Sequence, residues 1–499
     1  MSIQGFDPRT GAAVGDPVAE TRAAEVDAIC ARAVVASKHW ARTPAAARAA
    51  VLESGAAAID ANTDELVALG DRETALGLPR LRGEIRRTTN QLRLFAEVLR
   101  EGSYLEATLD SADPSSVPPR PELRRLLQPI GPVAVFAASN FPFAFSVAGG
   151  DTASALAAGC GVIVKAHEAH PQTAQATAAI VERALTDAGA PAGLFGIVHG
   201  VAAGTQLVSH PAIKAAGFTG STRGGRALFD LANARPAPIP FYGELGSINP
   251  VLILPHAADE RAQEIAHGFA ASLTLGVGQF CTNPGLVFAP ASLVDELAAA
   301  VRQSRGGAML TQRMQDGYLN DTQALAATAQ RVVEGVASDA AFGVAPQLFR
   351  IDLESFAVDL ERHVDECFGP AALVVVYRDV ESVIALLDRL PGSLTASVHA
   401  AASDAPAALR AADVLRDSAG RVVYNAWPTG VAVAWGMQHG GPWPAATNPL
   451  HTSVGATAIR RWLVPVSFQD WPDALLPDEL KDANPLRIPR RRDGVLGGR

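Results

Sequence analysis

From Pro132 to Asn233 the chain alternates short apolar runs with helical ones, and this alternation restricts the fold more than any other feature. Strand-like Pro132–Phe136 leads to a helix near Gly150–Ala158, Gly161–Lys165 to helix Thr173–Ala188, Gly193–Val198 to Gly204–Ser209, and Lys214–Thr219 to a helix near Arg223–Asn233. Strands separated by helices assemble into a parallel sheet with helices packed on its faces. Such a sheet takes a dinucleotide across the carboxyl ends of its strands. After Asn249-Pro250 a second α/β unit begins, with expected elements Val251–Leu254, Glu264–Leu275, Leu286–Ala289, Leu293–Ser304, Ala372–Tyr377, Ser382–Leu390, Ala396–Ala400 and Val422–Tyr424. Ahead of both units, helical periodicity marks Glu25–His39, Ala45–Asn62 and Gly83–Leu99. Glu122–Leu127 reads as an exposed strand after the Ser/Pro-rich stretch Ala112–Pro121.

The totals fit this α/β reading. At 499 residues, a prior of roughly 150 residues per domain gives about three domains. Charged residues at 19% and hydrophobic ones at 48% exclude a disordered chain. A net charge of -9 argues against nucleic acid as a partner, and the basic tail Arg487–Arg492 reads as a solvated end. The 4 cysteines, Cys30, Cys160, Cys281 and Cys367, have no paired metal-ligand spacing, and no metal is expected. No positively charged, apolar leader opens the chain, so a reduced cytoplasmic setting is the expectation. The uncharged run Leu126–Gly150 is long enough to span a bilayer, yet Pro129, Pro132, Asn140 and Pro142 interrupt it. It reads as a buried strand followed by an active-site loop, with no membrane partner.

Three short stretches carry chemistry. Cys281 lies in Gly276-Val277-Gly278-Gln279-Phe280-Cys281-Thr282-Asn283-Pro284-Gly285, between the helix-like run Ala262–Leu275 and strand-like Leu286–Phe288. Flanking glycines and a Pro-Gly turn suit a nucleophile aimed into a cleft, although a single cysteine is more often a small buried apolar residue. A thiol attacks only as thiolate, so such a site lowers its pKa from about 8.5 or supplies a base. Glu244, in Phe241-Tyr242-Gly243-Glu244-Leu245-Gly246, is one carboxylate among apolar or small neighbours, surroundings that suit a general base; a solvated loop charge is the plainer alternative. Asn140, in Ser139-Asn140-Phe141-Pro142-Phe143, follows a strand, where its amide serves an oxyanion or caps a turn.

Taken in order, S-N-F-P-F at Asn140, G-E-L-G-S-I-N-P at Glu244, G-Q-F-C-T-N-P-G at Cys281 and E-C-F-G-P at Glu366 resemble the aldehyde dehydrogenase superfamily, from about Val18 to about Pro472. The resemblance implies that family's fold: a Rossmann-like dinucleotide-binding domain over 1–111 and 129–245, an α/β catalytic domain over 246–446, and a small β bridging and oligomerisation element with a tail over 112–128 and 447–499. The run Val454–Val466 is expected to return to that bridging sheet, in a homodimer or homotetramer. It also implies roles: Cys281 as nucleophile, Glu244 as base for thioester hydrolysis, and Asn140 as oxyanion donor. A glutamate at this place separates the chain from relatives that pass the acyl group to coenzyme A, and the intact trio argues against a non-catalytic nucleotide-binding protein.

Cofactor contacts are implied in the same way. The chain has no G-x-G-x-x-G fingerprint, and Gly220 and Ser221 in Phe218-Thr219-Gly220-Ser221 take the pyrophosphate at a helix N-terminus instead. Lys165 reaches the adenosine ribose, while Glu366 and Phe368 hold the nicotinamide ribose and ring, with Cys367 as a packing neighbour. Glu168 accepts from ribose hydroxyls and repels a 2′-phosphate, which favours NAD; Arg223 pairs with that phosphate in NADP-linked relatives. The two signals conflict, and NAD and NADP both stay open. His439 and Trp427 are expected along the substrate funnel. Within the superfamily, G-V-G-Q-F-C-T-N-P-G, Phe145–Cys160 and M-Q-H-G-G-P resemble the branch that oxidises 2,5-dioxopentanoate, alongside NADP-linked fatty-aldehyde enzymes. A short aldehyde carrying a carboxylate is therefore the expected substrate, with a medium-chain aliphatic or aromatic aldehyde as the alternative.

Overall fold

A computed structural model describes residues 2–497. Its first sheet has five parallel strands in the spatial order Phe195–Val198, Val162–Lys165, Val133–Phe136, Ala215–Thr219, Phe241–Glu244. Val133–Phe136 and Val162–Lys165 are buried at every residue, which is why they appear in the sequence as unbroken apolar runs. The chain order reverses between Val133–Phe136 and Ala215–Thr219, and a ligand crevice forms where strand order reverses in this way. The loop carrying Asn140 and the turn Gly220-Ser221 both leave from this point.

The fifth strand was not visible in the sequence. Phe241–Glu244 pairs with Ala216–Thr219 through only four residues, and Gly243 and Glu244 hide its apolar character. Its pairing puts the Glu244 backbone against the turn, where Gly220 N–H donates to the Glu244 carbonyl at 3.1 Å.

The second sheet has seven strands, ordered Gln330–Glu334, Gln347–Asp352, Ala371–Tyr377, Leu286–Pro290, Pro250–Ile253, Ser393–His399, Ala419–Tyr424, and only the first is antiparallel to its neighbour. The sequence reading lacks the first two: Gln330–Glu334 is a polar edge strand with one buried residue, and in Gln347–Asp352 polar Gln347, Arg350 and Asp352 interrupt the apolar run. Helix Pro255–Thr274 packs on this sheet and is kinked at Arg261.

A third sheet joins Leu123–Pro129 antiparallel to Leu463–Gln469. It also takes in the tail, whose Arg487, Arg491 and Arg492 are exposed to solvent as expected but whose backbone is ordered. Arg490–Arg492 is a strand parallel to Thr108–Asp110, and Arg492 pairs with Asp482 at 2.7 Å. Arg490 and Arg491 donate to backbone carbonyls.

Helices Ala45–Ala61 and Leu78–Glu101 pack together against the first sheet, in a core that includes Trp40, Phe95, Phe143 and Trp462. Spacings of four and three residues put Arg80, Glu84 and Arg87 on one face of Leu78–Glu101. Among the described residues no helix is long and apolar enough to cross a membrane.

Candidate active site

The nucleophile loop is built from backbone that few residues tolerate. Gly276, Val277 and Gly278 have φ of 56°, 60° and 67°, three consecutive left-handed residues. Glycine adopts this freely, but a β-branched residue does so at a cost of about 1–3 kcal/mol, so Val277 marks a turn held by its surroundings. A Cβ on Gly278 would lie 2.3 Å from the Gly369 carbonyl, so only glycine allows this approach. The turn reverses the chain after helix Pro255–Thr274 and carries Cys281 to the cleft.

Asn249 pins the loop from below. Fully buried, its Nδ2 donates to the carbonyls of Cys281 at 2.8 Å and Asn283 at 2.9 Å, while Oδ1 accepts from Ser247 Oγ at 2.7 Å and Thr395 Oγ1 at 3.1 Å. The sequence motif contained this residue without revealing its role, since its partners lie far along the chain. Asn249→Ala leaves the Cys281 carbonyl unpaired, while the Asn283 carbonyl keeps the Gly285 N–H at 2.9 Å, and is expected to destabilise the fold by about 1–3 kcal/mol while lowering kcat. Urea unfolding together with steady-state kinetics checks this, and an unchanged kcat would rule out a positioning role.

Three functional side chains converge above the loop. Glu244 ends strand Phe241–Glu244 and is 4% exposed; His439, from the segment before Ser453, is 1% exposed. His439 Nε2 lies 2.9 Å from Glu244 Oε1 and 3.5 Å from Cys281 Sγ, and Ser453 Oγ donates to Glu244 Oε2. A sulfur, a carboxylate oxygen and a ring nitrogen all lie within 4.8 Å of one another, close enough to exchange a proton. Burial pushes the Glu244 carboxyl up, but the His439 interaction and hydrogen bonds with Ser453 and Cys281 outweigh it and leave the group below the ordinary carboxylate range. Cys281 shows the reverse. Burial, then the Glu244 charge and hydrogen bond, then Glu366, push its thiol well up, and Arg87 opposes them. These two directions favour a protonated thiol beside an ionised carboxylate.

His439 is thus nearer the chemistry than a funnel wall. Trp427 is farther: it packs on Phe269 at 5.4 Å and His399 at 4.7 Å, against the second sheet's helix, and this corrects its placement in the funnel. Its apolar ring is satisfied by that core.

Asn140 is 7% exposed, and its Nδ2 donates to the Gln279 carbonyl at 2.9 Å. An amide carries two such hydrogens, so one remains for a ligand. Arg80 Nη2 donates to the Asn140 carbonyl at 2.8 Å from between the rings of Phe141 and Phe280, 5.1 and 4.7 Å away. The Cys281 backbone N–H has no protein partner among the described residues.

A cavity of about 830 Å³ runs from Glu168, Gly220 and Ser221 to Cys281, Glu366 and Phe368. Ser221 caps helix Thr222–Asn233 by accepting the Gly224 N–H at 3.2 Å. Lys165 is almost buried and pairs with Glu168, which lines the cavity. Arg223 is exposed on the following helix and does not line it. Burial pushes the Glu366 carboxyl up to about 8, with the Ser247 N–H opposing. A Cβ on Gly246 would meet Glu366 Oε2 at 2.6 Å, so glycine lets this carboxyl sit across the cleft. Size, a helix N-terminus and a carboxylate in the lining suit a dinucleotide.

Known proteins resemble this chain in sequence and fold. The Aldehyde dehydrogenase family profile matches residues 1–443. An alpha-ketoglutaric semialdehyde dehydrogenase 2 of Azospirillum brasilense is 48% identical over 99% of this chain and 96% of its own. An alpha-ketoglutaric semialdehyde dehydrogenase of Acinetobacter baylyi is 43% identical over 95% and 91%. In fold, gamma-glutamyl-gamma-aminobutyraldehyde dehydrogenase from Burkholderia cenocepacia superposes with a TM-score of 0.79 at 23% identity, over 94% of this chain and 92% of that one. With the match spanning most of its length and the cysteine loop facing a dinucleotide-sized cleft, the chain belongs to the aldehyde dehydrogenase family, oxidoreductases that act on aldehydes with NAD(P).

Proposed function

We propose that this protein oxidises 2,5-dioxopentanoate to its dicarboxylic acid, using NAD in preference to NADP. The substrate rests on the two semialdehyde dehydrogenases that resemble it over nearly their whole length. The chemistry rests on one observation, the buried contact of Cys281, His439 and Glu244 at the end of the cleft.

Cys281 gives its proton to the Glu244–His439 pair and its sulfur bonds to the aldehyde carbon, moving the carbonyl π electrons onto oxygen. The Asn140 amide and the Cys281 N–H stabilise that oxyanion, each donor being worth about 3 kcal/mol of barrier. The dinucleotide, held by Gly220, Ser221, Glu168 with Lys165, Glu366 and Phe368, supplies the hydride acceptor. Collapse of the oxyanion restores the carbonyl and expels hydride, leaving a thioester on Cys281. With the thiol proton held on His439, Glu244 takes a proton from water, the water oxygen bonds to the acyl carbon, and the C–S bond breaks with its electron pair on sulfur, which takes back a proton from the pair as the acid is released. A buried base tied to the nucleophile favours this hydrolysis over acyl transfer to coenzyme A.

Glu168 inside the cleft and Arg223 outside it support NAD. The edge strand Leu463–Gln469 supports pairing into a homodimer or homotetramer, and four free thiols fit the cytoplasm. Steady-state assays of reduced dinucleotide test the reading, with 2,5-dioxopentanoate and pentanal, each with NAD and NADP. Higher kcat/KM is expected for the dioxo acid and for NAD, and Glu168→Gln is expected to narrow the cofactor ratio by about tenfold. Pentanal as the better substrate would overturn the substrate; an unchanged ratio in Glu168→Gln would overturn the role of Glu168.

A further inference from the structure

Three arginines, Arg80, Arg87 and Arg421, lie around the Cys281 loop, and their hydrogen bonds separate them. Arg421 gives Nη1 to the Gly430 carbonyl at 2.9 Å and Nη2 to the Pro428 carbonyl at 2.5 Å, so it ties a loop. Arg80 gives Nη2 to the Asn140 carbonyl between two rings, and of its nitrogens only Nη1, 2.0 Å from where a Gly276 Cβ would stand, is buried without a partner.

Arg87 is different. Its Nε and Nη2 are buried with no hydrogen-bond partner, while the side chain as a whole is half-buried. These two nitrogens form one edge of the guanidinium, the edge that binds a carboxylate through two parallel hydrogen bonds. The guanidinium lies 5.1 Å from the Phe145 ring and 5.8 Å from the Phe141 ring. Phe145 in turn packs 6.3 Å from His439, which touches Cys281. One ring therefore separates this cation from the catalytic cluster, and both Cys281 and Glu244 sense its charge. Glu84, one turn earlier, does not neutralise it by direct contact. Glu84 Oε1 is taken by the N–H groups of Phe143 and Ala144 at 2.8 and 3.1 Å, and no ion pair joins it to Arg87. A buried cation with an open donor edge is costly unless an anion completes it.

We propose that Arg87 receives the carboxylate of the substrate and is the residue that selects aldehydes bearing an acid group at the far end. This rests on the substrate reading above. Anchored there, a short chain spans the Phe141 and Phe145 rings and presents its aldehyde carbon to Cys281. An aliphatic aldehyde of the same length finds the rings but not the fork.

The test is a comparison of ratios. For wild type, Arg87→Gln and Arg87→Lys, kcat/KM is measured for 2,5-dioxopentanoate, for succinate semialdehyde and for pentanal, with thermal melting as a control of folding. In Arg87→Gln the preference for the acidic aldehydes over pentanal is expected to fall by roughly 30- to 100-fold, mostly through KM; Arg87→Lys, keeping charge without the fork, falls less. A proportional loss with all three substrates would make Arg87 structural and overturn the proposal. A variant that keeps the wild-type preference would place the carboxylate elsewhere and leave the substrate reading intact. A wild-type enzyme with no preference for acidic aldehydes would overturn the substrate reading and the clamp together.

Discussion

Replacing Cys281 with alanine is expected to lower aldehyde oxidation by on the order of 10⁴-fold or more, because no other group near the aldehyde carbon can form the covalent intermediate. Cys367 is the nearest thiol in the chain to the cofactor contacts, but it packs into the second sheet's core, and burial holds its thiol well up. Dinucleotide affinity is expected to stay within about twofold, since the cavity is walled mainly by Glu168, the Gly220-Ser221 turn, Glu366 and Phe368. Isothermal titration with NAD and assay of the reduced dinucleotide read the two quantities separately. Parallel loss of both would point to a collapsed loop, and Asn249, which holds the Cys281 carbonyl, is where such a collapse would begin. Intact binding with substantial residual oxidation would mean that hydride leaves from the hydrated aldehyde, and the nucleophile assignment would fall.

The parts of this site that were legible in the sequence are those in which local chain chemistry is unusual. A cysteine among glycines, a carboxylate between glycines and an asparagine at a strand end each stand out from their neighbours, and the structure brings Cys281, Glu244 and Asn140 to one end of one cleft. The buried strands Val133–Phe136 and Val162–Lys165 were legible for a similar reason, because strands covered on both faces must be apolar throughout. Phe241–Glu244 was not, since a short strand ending on a functional glutamate has no periodicity to show. The contacts of His439, expected only along the funnel, and Arg87 altogether were illegible in a stronger sense. The contact of His439 with Cys281 crosses 158 positions of sequence, and Arg87 sits among other arginines of its helix with nothing local to mark it. Only tertiary packing shows that Arg80 gives Nη2 to the Asn140 carbonyl while both nitrogens of one Arg87 edge stay unpaired. The sequence likewise could not show that Glu168 lines the cavity while Arg223 is exposed outside it.

Glu244→Gln is expected to separate the two halves of the reaction. Glutamine keeps the shape and a hydrogen bond to Ser453 but cannot accept a proton, so one equivalent of reduced dinucleotide per active site should appear in a burst, followed by turnover slowed by about 10²–10⁴-fold. Stopped-flow absorbance gives the burst, and mass spectrometry of quenched enzyme gives the acyl group on Cys281. The same variant should alter the nucleophile in a defined direction. The Glu244 charge and hydrogen bond both push the Cys281 thiol up, so removing them favours the thiolate, and the midpoint of iodoacetamide labelling against pH should move down relative to wild type. Wild type should need the higher pH for labelling, because burial acts on the thiol in both proteins. These two readouts distinguish the roles available to Glu244. A burst with a stalled acyl-enzyme assigns it to hydrolysis, with His439 able to take the thiol proton from 3.5 Å. Loss of the burst despite a lowered labelling midpoint would mean that the aldehyde addition itself needs the carboxylate, as acceptor of the thiol proton. Sustained turnover at the wild-type rate would remove Glu244 as base and leave His439 as the group in contact with the sulfur that could replace it.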